Sequence, residues 1–161
     1  MALKAENVRS CLTIVFMALL SATVASAQAA PPKQPPPAPS AFDTQIAAGM
    51  LRQLSEALQG QSEKKFFALF NLNGMKDGAL FKEQVQSFFS HTISIRVHLN
   101  LGEISVEGDR ATVAVEAEME AEPLNGGPIA RRNDRLNFTV ASAGGTWKFI
   151  ELQPRSFFSL P

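Results

Sequence analysis

Residues 92–106 read TISIRVHLNLGEISV and residues 111–120 read ATVAVEAEME. In the first stretch Ile93, Ile95, Val97, Leu99 and Leu101 alternate with Ser94, Arg96, His98, Asn100 and Gly102. A period of two sends successive side chains to opposite faces, so this is a long half-buried strand. It is expected to bend near Gly102 and continue through Ile104 and Val106. In the second stretch Ala111, Val113, Val115, Ala117 and Met119 share one face, with Thr112, Ala114, Glu116, Glu118 and Glu120 on the other. Glu107-Gly108-Asp109 is the tight turn between them. Leu136, Phe138 and Val140 mark a third strand, opposite Asn137 and Thr139. Ala143-Gly144-Gly145 turns into a fourth, on which Trp147, Phe149 and Glu151 share a face. Pro123–Pro128 is a loop. Connections this short make hairpins, hence an antiparallel meander with no parallel crossover.

Upstream the period is helical. Ile46, Ala47, Met50, Leu51, Leu54, Ala57 and Leu58 recur at three- and four-residue spacing, which predicts a helix over about residues 42–59. Ser40-Ala41-Phe42-Asp43 has the form of a capping box before it, and Gly60 is its natural stop. Ser62 caps a second, shorter helix carrying Phe66, Phe67, Leu69, Phe70 and Leu72, ended by Asn73-Gly74. Asp77 caps a third, with Phe81, Val85, Phe88 and Phe89 on its apolar face and an end near His91. Helices followed by a run of strands point to an α+β domain, with three N-terminal helices packed on one face of a curved antiparallel sheet.

The chain ahead of this domain has a different character. Lys4, Glu6 and Arg9 precede the apolar run Leu12–Leu20, and small residues follow up to Ala25-Ser26-Ala27. That is the layout of a cleavable signal peptide over residues 1–27, and it places the protein outside the cytoplasm, in the periplasm or beyond. The alternative is an uncleaved anchor. Cys11 to Ala27 reaches only the lower limit for a bilayer span, roughly 17–20 residues, and its second half is rich in Ser, Thr and Ala. Residues 28–40 form a proline-rich linker that favours an extended spacer without core-forming side chains. Residues 41–161 then supply one domain's length of chain. Cys11 is the only cysteine, so the exported part has no disulfide and no thiolate ligand. Charge is balanced, 15 basic against 15 acidic residues, which gives no electrostatic case for nucleic acid or an anionic membrane surface.

The domain resembles the nuclear transport factor 2-like superfamily, the cone-shaped α+β barrel that includes polyketide-cyclase-like and ketosteroid-isomerase-like proteins. Two motifs carry the resemblance. Gly108-Asp109-Arg110-Ala111-Thr112-Val113 is similar to the hairpin before that family's long strand. Gly145-Thr146-Trp147-Lys148-Phe149 is similar to the opening of its last strand, with Phe149 where Ile or Val is usual. The resemblance covers about residues 42–152. It implies a cone enclosed by the helices and the concave sheet face, on a scaffold that hosts enzymes, binders and assembly subunits alike.

Strand and helix parity then names the lining of such a cone: Phe66, Phe70, Phe81, Phe88, Leu99, Val115, Met119, Phe138, Trp147 and Phe149. These form either an apolar ligand pocket or a filled core. Isomerase chemistry of the implied type uses a carboxylate base and phenolic donors, yet the chain has no tyrosine. Counting back by twos from Leu136 places Asp134 and Arg132 at the open end of the cone. Asp134 is the candidate general base and Arg132 the candidate anion holder, with a simple rim ion pair as the alternative.

On the outward face, a hairpin closing around Gly126-Gly127 is expected to set Glu122 across from Arg131 and Glu118 across from Arg135, as a register device or a pairing surface. His91 and His98 lack a metal-ligand spacing, and no metal or other cofactor is expected. Arg155–Leu160 brings two adjacent phenylalanines, expected to dock on the helices or to complete a partner's core. The resulting expectation is an exported non-catalytic domain that binds a small apolar ligand in its cone or forms a homodimer through its sheet. The alternatives are a polyketide-cyclase-like lyase, isomerase or hydrolase using Asp134 and Arg132, and a membrane-tethered envelope assembly subunit.

Overall fold

The period-two stretches form four strands: β1 (Thr92–Glu107), β2 (Arg110–Pro123), β3 (Ala130–Ala143) and β4 (Thr146–Gln153). They pair antiparallel in the order β1-β2-β3-β4, the expected meander. Three helices precede them: α1 (Thr44–Gln59), α2 (Glu63–Ala68) and α3 (Gly78–Ser90). The computed structural model describes residues 41–159. The expected signal peptide, the linker with Ser40, and Leu160 lie outside the described residues. Among the described residues no helix is long and apolar enough to cross a membrane.

The helices start and stop for local reasons, not always the expected ones. Asp43, in extended conformation, caps α1 by accepting from the Ile46 amide at 2.8 Å. The helix therefore begins at Thr44, and Phe42 before the cap packs edge-on against Trp147, ring centroids 4.9 Å apart. Ala47, Met50, Leu51, Leu54, Ala57 and Leu58 bury one face of α1. It ends at Gln59 with Gly60 as its cap, the expected stop. The left-handed residue is Gln61, at φ 47°. The Gln61 amide reaches the Leu58 carbonyl and the Ser62 amide reaches that of Ala57, a Schellman closure with glutamine in glycine's usual place. The Gln61 side chain holds the turn by donating to the Thr92 carbonyl at 2.9 Å.

Ser62 caps α2 as expected, but that helix stops at Ala68, well before Asn73-Gly74. Its exit is pulled into the sheet: Phe149 N–H donates to Leu69 O and Asn71 N–H to Phe149 O, tying the segment to β4. Asp77 precedes α3 in a left-handed conformation and makes no side-chain cap, contrary to the expected role. Gly78 is required there, because a Cβ would sit 2.1 Å from the Leu72 carbonyl oxygen.

Three strand irregularities also depart from simple alternation. Thr92 pairs with Pro123 and Ser94 with Glu122, so Ile93 is an extra residue and stands 51% exposed instead of facing inward. A second bulge, between Leu101 and Ile104, falls at the expected bend around Gly102. A third, on β4, follows from Thr139 pairing with Glu151 and Val140 with Phe149. It brings Phe149 and Leu152 inward together and separates Glu151 from the face of Trp147.

One apolar core results, with Leu136, Phe138, Val140, Phe149 and the alternate residues of β2 on its sheet side and Phe66, Phe81, Val85 and Phe88 on its helix side. Phe66 lies at its centre, within 6.3 Å of the rings of Phe67, Phe70, Phe81, Phe89 and Phe158. Phe66→Ala is expected to cost about 3–5 kcal/mol in denaturant unfolding. Leu80→Ala, at a side chain 63% exposed, is expected to stay within about 0.5 kcal/mol of the parent.

Candidate functional site

The pairing of β2 with β3 runs from Arg110–Ala141 to Ala121–Ala130 without a bulge, so the inward parity of Leu136 carries back to Asp134 and Arg132. Both are half-buried, opposite Ala117 and Met119 respectively.

Arg132 is occupied there by the protein itself. Its Nη1 donates to the carbonyl oxygens of Ser156 at 2.5 Å and Phe157 at 2.7 Å and to Ser159 Oγ at 3.2 Å, and its Nη2 donates to the Ser159 carbonyl at 2.7 Å. These acceptors belong to the 3₁₀ turn Arg155–Phe158 and the residue after it. Burial among them lowers the guanidinium's pKa from its ordinary value, and the charge of Asp134 acts in the opposite direction. Gln84 of α3 holds the same turn by donating to the Arg155 carbonyl at 2.7 Å, and the Arg155 guanidinium donates to the Lys76 carbonyl.

The turn inserts Phe157 and Phe158, both fully buried, beneath Arg132. Phe158 meets Phe66 at 5.6 Å, Phe88 at 6.0 Å and Phe81 at 6.2 Å. Of the expected lining, Phe66, Phe70, Phe81, Phe88, Val115, Met119, Phe138 and Phe149 are brought together in this packed interior. Leu99 is half-buried in a surface groove under α1, beside Leu51, Ser55 and Gln59. Trp147 packs at the edge of the core against Phe42. The adjacent phenylalanines near the chain end were legible as a docking segment. Gln84 carried no signal, because its role depends on where that segment lands.

The outward sheet face has a different chemistry. The observed register corrects the expected ion pairs by two residues: Glu120 lies across from Arg131 and Glu116 across from Arg135, because the last pair, Ala121–Ala130, centres the hairpin one residue earlier than Gly126-Gly127. Glu120 also reaches across to β1, so that Arg131 at 2.9 Å and Arg96 at 3.6 Å share one carboxylate. Arg135 and Glu116 stand 3.9 Å apart. Next to the shared carboxylate lies a cleft of about 420 Å³ lined by Arg96, His98, Glu118, Met119, Glu120, Arg131 and Asn133.

The sequence matches no family profile and no curated protein. The fold matches many solved structures. A nuclear transport factor 2-like superfamily protein from Salmonella enterica serovar Typhimurium is 11% identical, with a TM-score of 0.60 over 67% of this chain and 86% of that one. A conserved protein from Planctomyces limnophilus is 14% identical, with a TM-score of 0.58 over 67% and 91%. The hexachlorocyclohexane dehydrochlorinase LinA-type3 from Novosphingobium barchaimii is 13% identical, with a TM-score of 0.53 over 67% and 82%. The chain thus has the nuclear transport factor 2-like cone fold, in company with enzymes and with proteins of no stated activity.

Removing the arginine fork is expected to loosen the C-terminal turn. Arg132→Ala should lower unfolding stability by about 1.5–3 kcal/mol and speed amide exchange in residues 157–159. Arg132→Lys should recover only part, because a single ammonium cannot reproduce the planar fork.

Proposed function

We propose that this protein is an exported, non-catalytic domain that works by self-association through the outer face of its sheet. Export is supported by the signal-like residues 1–27. A non-catalytic role is supported by an interior filled with phenylalanine, by the Arg132 donors engaged with the chain's own carbonyls, and by the absence of tyrosine from the sequence.

The observation that carries the pairing is the order of charge on β1, β2 and β3. The row Arg96–Glu120–Arg131 has one net positive charge. The next row, His98–Glu118–Asn133, has one net negative charge with neutral histidine. Among the described residues Glu118 has no ion-pair partner. A two-fold axis between these rows sets each positive row against the partner's negative one, the self-complementarity an isologous dimer needs. Exposed pairs of this kind contribute about 0.2–1 kcal/mol each and are screened by salt. Sedimentation equilibrium should therefore find a dimer at low ionic strength and dissociation near about 1 M salt, where the Debye length falls to about 3 Å. Glu118→Arg should be monomeric throughout. A parent protein that is monomeric at low salt removes this reading.

A second reading rests on Asp134 and Arg132 sharing the inward face at the mouth of the cone. A carboxylate base beside a guanidinium suits proton abstraction with elimination of an anion. The structural likeness to a dehydrochlorinase names a probe for it. Halide release from hexachlorocyclohexane, lost in Asp134→Asn, would support an eliminating enzyme; no release from the parent counts against it.

A further inference from the structure

The apolar interior is completed by the end of the chain, and that end is attached differently from everything else around it. The other core phenylalanines sit on helices, on ladder-paired strands, on a segment bridged to β4 as Phe70 does, or, like Phe42, just ahead of the capped start of α1. Phe157 and Phe158 sit on one 3₁₀ turn whose own backbone bonds are local, Phe157 to Pro154 at 3.4 Å and Ser159 to Ser156 at 3.0 Å. Its ties to the body of the domain are side-chain hydrogen bonds from Arg132, Gln84 and Arg155. One polar atom in this attachment is unsatisfied: Arg155 Nε is buried without a hydrogen-bond partner. Among the described residues Arg132 meets only neutral acceptors, and no carboxylate lies within ion-pair distance of it.

We propose that residues 155–159 are an exchangeable plug occupying a binding site for an aromatic carboxylate. The bound molecule's fused rings replace Phe157 and Phe158 against Phe66, Phe81 and Phe88. Its carboxylate replaces the three carbonyls on the Arg132 fork. A carboxylate accepts two parallel bonds from a guanidinium and neutralises its charge, which backbone carbonyls cannot do. The plug is a neutral, weaker version of the ligand already in place, so binding is a competition in cis, and apparent affinity scales with the fraction of molecules whose turn is released. This inference is independent of pairing through the sheet, which lies on the opposite face of the strands.

The test uses the full chain with 1-naphthoate and, as the neutral control, 1-naphthalenemethanol. Binding is read by calorimetry and the turn by amide exchange in residues 157–159. Naphthoate should bind the parent and accelerate exchange in the turn while protection in α3 and β3 is kept. Phe158→Ala, which weakens the competitor, should bind naphthoate about tenfold or more tightly than the parent. Arg132→Gln should lose the preference for carboxylate over alcohol. It should still take up the alcohol, an outcome that a merely destabilised core would not give. Failure of naphthoate to bind either the parent or Phe158→Ala overturns the proposal. So does binding that leaves exchange in the turn unchanged, or an unaltered carboxylate preference in Arg132→Gln. If Phe158→Ala does not fold, the exchange response of the parent and the selectivity of Arg132→Gln decide.

Discussion

Aromatic packing around Phe66 is the constraint on which the rest of the domain depends. Its ring stacks on Phe70 at 4.8 Å and meets Phe89 and Phe158 edge-on, so one side chain from a six-residue helix joins α3, the sheet-bound connection and the chain end. A helix that short is marginal alone; its stability comes from the face it buries. Phe70 continues the cluster to Phe149 and Phe149 to Phe138, which carries it from the helices into the sheet. Edge and offset ring contacts add specificity to the burial, and the cluster accounts for a core this aromatic in a chain without tyrosine.

The two faces of the sheet divide the chemistry. Inward positions are apolar along β2 and β3 until Asp134 and Arg132, where the helical layer gives way to the C-terminal turn. Outward positions carry Glu116, Glu118, Glu120 and Glu122 in sequence on β2, with Arg96 of β1 and Arg131 of β3 flanking Glu120 and Arg135 of β3 across from Glu116. Four carboxylates along one strand face repel one another; sharing Glu120 between Arg96 and Arg131 offsets part of that repulsion and fixes the register. The same arrangement leaves a net positive row beside a net negative one, which a register device alone does not require.

Much of this was legible residue by residue. Alternation located all four strands, and Ser62 and His91 marked helix ends correctly. The Gly102 bend fell where glycine interrupts the apolar series. The misreadings share a cause. Ile93 and Glu151 each turned on one extra residue, which reverses the side chains beyond it, and the Glu–Arg register on a hairpin centred one residue earlier, which slides the pairs by two and leaves the faces unchanged. Asp77 took a left-handed conformation without the expected cap, because α3 begins where Gly78 passes against Leu72, and the left-handed Gln61 after the Gly60 stop rests on a bond to the distant Thr92 carbonyl.

By itself the sequence determined which residues are apolar, their period, and hence an α+β order with greasy strand faces turned toward three helices. Those properties are local: side-chain transfer free energy and backbone periodicity are written in neighbouring residues. Only the tertiary structure decided what fills the interior and what Arg132 holds. Residues 132 and 157 are far apart in the chain, and whether an arginine fork meets a ligand, a carboxylate or the protein's own carbonyls depends on where a separate segment docks. That docking is settled by the volume left between helices and sheet once their side chains have packed, a property of the assembled core that no stretch of sequence carries alone.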